Sequence, residues 1–148
     1  MENLGKFRIG LTVYYHDTDC YGVVWHGAYV KWLEAARTEY CKRLGVNFSE
    51  FYDNDIVMPL SNINIDYKCP AKLEDELIVE TQIEKLTKTK VIFRQEIFNP
   101  KTERLIISAQ VTVVTTTKDG RLYRTMPELL MNYLKTPINE PEGTLIRC

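Results

Sequence analysis

After Leu60 the chain alternates with a period of two: Ile63, Ile65 and Tyr67 face one way, and Asn62, Asn64 and Asp66 face the other. That period continues to about residue 116. It predicts four successive strands at about 57 to 68, 75 to 86, 90 to 99 and 104 to 116. Turn or breaker chemistry separates them at Pro70 to Glu74, near Thr87, at Asn99-Pro100 and at Asp119-Gly120. Upstream, residues 7 to 15 mix β-branched and aromatic side chains and predict a first strand, ending where His16, Asp17 and Thr18 bring turn chemistry.

Between the first strand and the alternating region the period changes. From Ala28, the residues Val30, Leu33, Tyr40 and Leu44 recur at helical spacing, Ala35 and Ala36 permit close packing, and Gly45 marks a helix end. One long helix is expected there, with short helical turns at about 48 to 54 and 127 to 134. Pro137, Pro141 and Gly143 interrupt the remainder, so residues 135 to 148 are expected to form a loose or partner-packed tail. One strand, one long helix and four further strands specify an α+β domain over residues 1 to 134, its sheet wrapped on the apolar face of the helix.

Composition narrows the function classes. The 148 residues suffice for one cored domain, and 45% hydrophobic content, 26% charged residues and a net charge of -1 are ordinary for a globular protein. Cations are dispersed among acids, which argues against nucleic acid and leaves a small anionic ligand open. Cys20, Cys41, Cys69 and Cys148 form no Cys-x-x-Cys pair, so free thiols are expected, and no spacing resembles a metal-ligand set. No apolar signal core or membrane-length run is visible, which makes cytoplasmic residence the expectation.

The candidate chemistry lies between Asp19 and His26. Asp19 follows a predicted strand among the apolar neighbours Val23, Val24 and Trp25, where partial desolvation would strengthen it as a base or nucleophile; the alternative is a plain Asx turn. Asp17 is expected to have only a turn role. His26 stands at the helix entrance, where a backbone N–H can stabilise an oxyanion, although a histidine there is also an ordinary helix-entry residue. Gly22 fits a close backbone approach or a positive φ. Cys20 has no partner base and reads as a small filler. Neither His16 nor His26 lies in a nucleophile motif, which ranks serine or cysteine triads low. Trp25, Tyr29 and Trp32 suit either an acyl pocket or a core, while Lys88 and Lys90, with Arg121 and Arg124, suit either phosphate contacts or solvated turns. Glu34 and Glu39 are expected to pair with Arg37 or Arg43 along the helix.

Residues 15 to 27, the segment Trp32-Leu33-Glu34-Ala35-Ala36-Arg37-Thr38, Ile65-Asp66-Tyr67 and Pro70-Ala71 together resemble hotdog-fold acyl-CoA thioesterases of the 4-hydroxybenzoyl-CoA thioesterase type, including the subgroup linked to the Tol-Pal envelope system. The resemblance implies a five-stranded antiparallel sheet around one helix and a homo-oligomer, a dimer or a homotetramer built from two dimers, with active sites at dimer interfaces. It implies that Asp19 is the catalytic carboxylate, that the His26 backbone N–H polarises the thioester carbonyl with a proposed His26 side-chain role, and that Lys88, Thr89 and Lys90 lie near the nucleotide phosphates; Gly22, from its own place in the turn, is expected to join His26 on the backbone side of the oxyanion hole. Trp25 and Tyr29 would contact the acyl group. No cofactor or metal is implied, because coenzyme A is part of the substrate. Two other readings remain: a non-catalytic acyl-CoA-binding or envelope-assembly protein, and an acyl-thioester hydratase, against which the spacing of Asp19 and His26 argues. The larger Cys20-Tyr21 pair departs from the family and bears on acyl specificity.

Overall fold

The computed structural model describes residues 4–138 and 146–147. In chain order it contains β1 (Phe7–Thr12), a 3-10 turn (Tyr15–Asp17), α1 (His26–Arg43), α2 (Phe48–Asp53), β2 (Leu60–Tyr67), β3 (Glu76–Leu86), β4 (Lys90–Asn99), β5 (Arg104–Val114), α3 (Glu128–Leu134) and β6 (Ile146–Arg147). The sheet order is β2-β5-β4-β3-β1-β6. The first five of these strands pair antiparallel, and the two-residue β6 adds to the outer side of β1 in parallel. This is the expected hotdog arrangement, a five-stranded antiparallel sheet around α1, with a short sixth strand added at one edge.

Period-two patterning builds the inner face. Phe7, Ile9 and Leu11 of β1, Leu77, Val79 and Ile83 of β3, Val91, Phe93 and Ile97 of β4, and Ile107, Ala109, Val111 and Val113 of β5 are all buried. Against them α1 lays Ala28, Tyr29, Trp32, Leu33, Ala36, Tyr40 and Cys41. Tyr40 stands edge-on to Phe7 and Phe93, with ring centroids 6.2 and 5.8 Å away. Val30, expected on the packed stripe, is 38% exposed, because Tyr29 takes the inward position beside it.

Element ends follow local hydrogen bonding. β1 stops at Thr12, earlier than alternation predicts, because the Asp17 carboxylate accepts the Tyr14 N–H at 2.9 Å and pulls the chain into a turn. α1 begins at His26, two residues before the predicted start; Trp25 occupies the cap position with no side-chain cap to signal it. It ends in a Schellman motif, with Gly45 N–H donating to the Lys42 carbonyl and Val46 N–H to the Cys41 carbonyl, each at 3.0 Å. Glu39 pairs with Lys42 at 3.7 Å, one turn along the helix.

In the tail, Ile138 is buried and its N–H donates to the Leu4 carbonyl at 2.8 Å. Residues 139 to 145 and Cys148, also within the tail expectation, lie outside the described residues. Among the described residues no helix is long and apolar enough to cross a membrane, and no cluster of His, Cys, Asp and Glu could hold a metal ion.

Candidate active site

The segment joining β1 to α1 makes two turns with different carboxylates. Asp17 closes the first: it is only 6% exposed, its carboxylate is occupied by Tyr14, and its backbone carbonyl accepts the Trp25 N–H at 2.9 Å. Asp19 opens the second. Its N–H donates to the Val23 carbonyl at 2.9 Å, and its own carbonyl accepts the Gly22 N–H at 3.1 Å. Gly22 has φ of +79° with open space where a Cβ would stand, so backbone conformation and not crowding favours glycine there.

Asp19 makes the Asx turn given above as the alternative, and that turn occupies only part of its carboxylate. Asp19 Oδ1 accepts the Tyr21 N–H at 2.8 Å, which fixes the carboxylate, while Oδ2 has no partner among the described residues. The side chain is exposed, so its own chain does not supply the expected desolvation. Cys20 and Tyr21 are exposed beside it, Tyr21 to 85%.

Three residues after Val23, His26 forms the first position of α1. The first-turn N–H groups of His26 and Gly27 have no acceptor among the described residues, so the positive end of the helix faces outward. Trp25, 44% exposed, stands edge-on to the His26 ring at 5.6 Å. Its indole folds back over Gly27 so closely that any Cβ there would overlap the ring. Gly27 thus sets the position of the Trp25 ring beside His26, and side-chain chemistry gives no reason to single it out; the available cue was a glycine immediately before the predicted start of the helix.

Tyr29 is buried, and its hydroxyl accepts the Ala71 N–H at 3.1 Å. Burial pushes this phenol up, with the hydrogen bond from Ala71 opposing. The contact ties α1 to the segment after β2, and the Val24 N–H to Ala71 carbonyl bond at 2.9 Å ties the loop before α1 to the same segment. One side of Tyr29 still borders a cleft of about 240 Å³ shared with Val24, His26, Tyr67, Lys68 and Cys69. Trp32 is buried beneath Tyr29, ring centroids 5.6 Å apart, and belongs to the core.

Lys88, Thr89 and Lys90 occupy the β3–β4 hairpin. Register places them far from Asp19 within one chain: Thr12 pairs with Glu76 at the start of β3, whereas Leu86 at its other end pairs with Val91. Ten residues of strand separate the two ends, about 33 Å. The Met126 N–H donates to the Lys88 carbonyl at 2.6 Å, so the segment carrying Arg121 and Arg124 is attached at the hairpin end as well. One chain thus brings together Asp19, Gly22, Trp25, His26 and Tyr29, and leaves the candidate phosphate contacts at the opposite end of the sheet.

A buried polar network, absent from the sequence reading, lies under the middle of α1. Gln95 is fully buried at an inward position of β4; its Nε2 donates to the Leu33 carbonyl and to Thr81 Oγ1, both at 2.9 Å, and its Oε1 accepts from Arg37 Nη1 at 2.9 Å. A glutamine in register with Val91, Phe93 and Ile97 was the available signal.

Residues 21–106 match the thioesterase superfamily. The chain is 34% identical over 112 residues to an acyl-CoA thioester hydrolase, YbgC, of Escherichia coli, covering 76% of this chain and 83% of that protein. Among solved structures it is similar to a DHNA-CoA thioesterase from Staphylococcus aureus, with a TM-score of 0.75, 27% identity and 80% of each chain covered. A 1,4-dihydroxy-2-naphthoyl-CoA thioesterase from Synechocystis shares the fold with a TM-score of 0.79 at 22% identity, over 88% of this chain and 96% of that one.

Proposed function

The chain belongs to the thioesterase superfamily, and from that premise we propose that it hydrolyses acyl-CoA thioesters to the free acid and coenzyme A. The observation that carries the reading is the state of Asp19: one carboxylate oxygen is held by the Tyr21 N–H and the other is uncommitted, on a turn leading into a helix whose first N–H groups are open. In this reading Asp19 Oδ2 acts on the thioester carbonyl, either by direct attack or by taking a proton from the attacking water. The outward N–H groups of His26 and Gly27 hold the oxyanion as negative charge gathers on the carbonyl oxygen. Collapse of the tetrahedral species breaks the C–S bond and releases coenzyme A thiolate. If Asp19 attacks, water then cleaves the resulting anhydride.

A homo-oligomer completes this site. β2 is the sheet edge remote from β6, with Leu60 and Tyr67 44% and 52% exposed at its two ends. Antiparallel pairing of two β2 edges across a two-fold axis would bring the Lys88–Lys90 hairpin of one chain to the Asp19 end of the other. Coenzyme A phosphates would then meet cations from the second chain, and the second chain would also remove water from around Asp19.

Thiol release from short, long and aromatic acyl-CoAs tests the reading. Wild type is expected to turn over at least one of them, and Asp19→Asn to lose about 100-fold or more in kcat while retaining its fold by circular dichroism. No release from any acyl-CoA would overturn the hydrolase assignment and favour a binding protein.

A further inference from the structure

A second cleft, of about 550 Å³, lies along the β2 side of α1, and Val30, one helical turn beyond His26, is its lining residue nearest that end. Its helix wall is Val30, Glu34, Arg37, Thr38 and Cys41, residues repeating at three- and four-residue intervals one turn and more beyond His26. Opposite stand Met58, Leu60, Phe93 and Val113, which make the cavity mostly apolar. Arg37 is the exception. It is half-buried, one Nη1 bond to Gln95 fixes its direction, and among the described residues no carboxylate lies within ion-pair distance of it. Gln95 is itself locked by Leu33 and Thr81, so the guanidinium is held in place with donors to spare. Burial pulls its pKa down, partly offset by the charge of Glu34, as expected of a cation short of an anionic partner.

We propose that this cleft is the acyl subsite and that Arg37 reads a carboxylate at the far end of the acyl group, making the preferred substrates medium-chain dicarboxylic acids esterified to coenzyme A at one end. The inference rests on the thioesterase reading above. Eleven residues of helix separate His26 from Arg37, about 16 Å of axis, and an arginine side chain leans back toward the helix N-terminus, which leaves the span of a medium-length chain. A planar guanidinium with free donors matches a carboxylate in two-point contact, and the apolar walls accept the methylenes between. Glu34 is exposed at the cavity mouth and opposes the same carboxylate, so it moderates the preference.

The test is kcat/KM for suberoyl-CoA against octanoyl-CoA, chains of equal length with and without the terminal carboxylate. Wild type is expected to favour suberoyl-CoA by about 10- to 100-fold, from a charge-assisted contact in a sheltered site. Arg37→Met should collapse that ratio, Arg37→Lys should retain part of it, and Glu34→Gln should raise it. Arg37→Lys guards against a folding defect in Arg37→Met, and the wild-type ratio needs no variant. Octanoyl-CoA hydrolysed as well as suberoyl-CoA by wild type, or a ratio unmoved by Arg37→Met, would overturn the inference while leaving the thioesterase standing. Absence of thiol release from either substrate and from the wider acyl-CoA panel would remove both.

Discussion

At the scale of single residues, two aspartates two positions apart are separated by what binds their oxygens. Asp17 is buried with its carboxylate committed to backbone, whereas Asp19 keeps one oxygen free. Sequence could name the Asp19 turn because glycine and Asx chemistry are local. It could not show which oxygen was bound, nor find Gln95, whose role depends on facing Arg37 across the core. Gly27 makes a sharper prediction. A methyl group there evicts the Trp25 indole from the first turn of α1, so Gly27→Ala should raise KM for acyl-CoA severalfold and change tryptophan emission, while the melting temperature moves little because Trp25 is half outside the core. Unchanged kinetics and emission would show that Trp25 does not shape the site.

At the scale of elements, the strands were legible because a half-buried antiparallel sheet writes its faces directly into period-two alternation. The helix was legible in its body and at Gly45, and obscure at its start, where Trp25, His26 and Gly27 carry none of the usual capping chemistry. β6 was hidden because prolines and a glycine dominate the tail. Gly45 has φ of +100°, and a Cβ there would stand 3.2 Å from the Tyr133 ring. Gly45→Ala should therefore lower unfolding free energy by about 1 kcal/mol in urea denaturation, combining left-handed strain with crowding of α3. An unaltered midpoint would mean the Schellman turn relaxes without loss.

At the scale of the whole molecule, the sheet register separates the two halves of the expected substrate site by the length of β3. No periodicity in a single chain conveys that separation, because it arises from the order in which strands pair. If a second chain supplies the phosphate contacts, Lys88→Glu with Lys90→Glu should raise KM for acyl-CoA about tenfold and leave the N-acetylcysteamine thioester of the same acid unaffected, since that analogue lacks the nucleotide. Sedimentation of the wild type should accordingly give at least twice the chain mass of 17.3 kDa. Equal effects on both thioesters, or a monomer, would place the nucleotide elsewhere.

The chain has two tryptophans, and the fold sorts them: Trp32 is 8% exposed beneath Tyr29, and Trp25 is 44% exposed beside His26. The molecule therefore carries its own optical gauge. Trp32 should supply a blue, quencher-resistant background, and Trp25 a red component open to iodide. Acyl-CoA binding at the mouth of α1, as proposed, should register as loss of that open component, without dye, radiolabel or turnover.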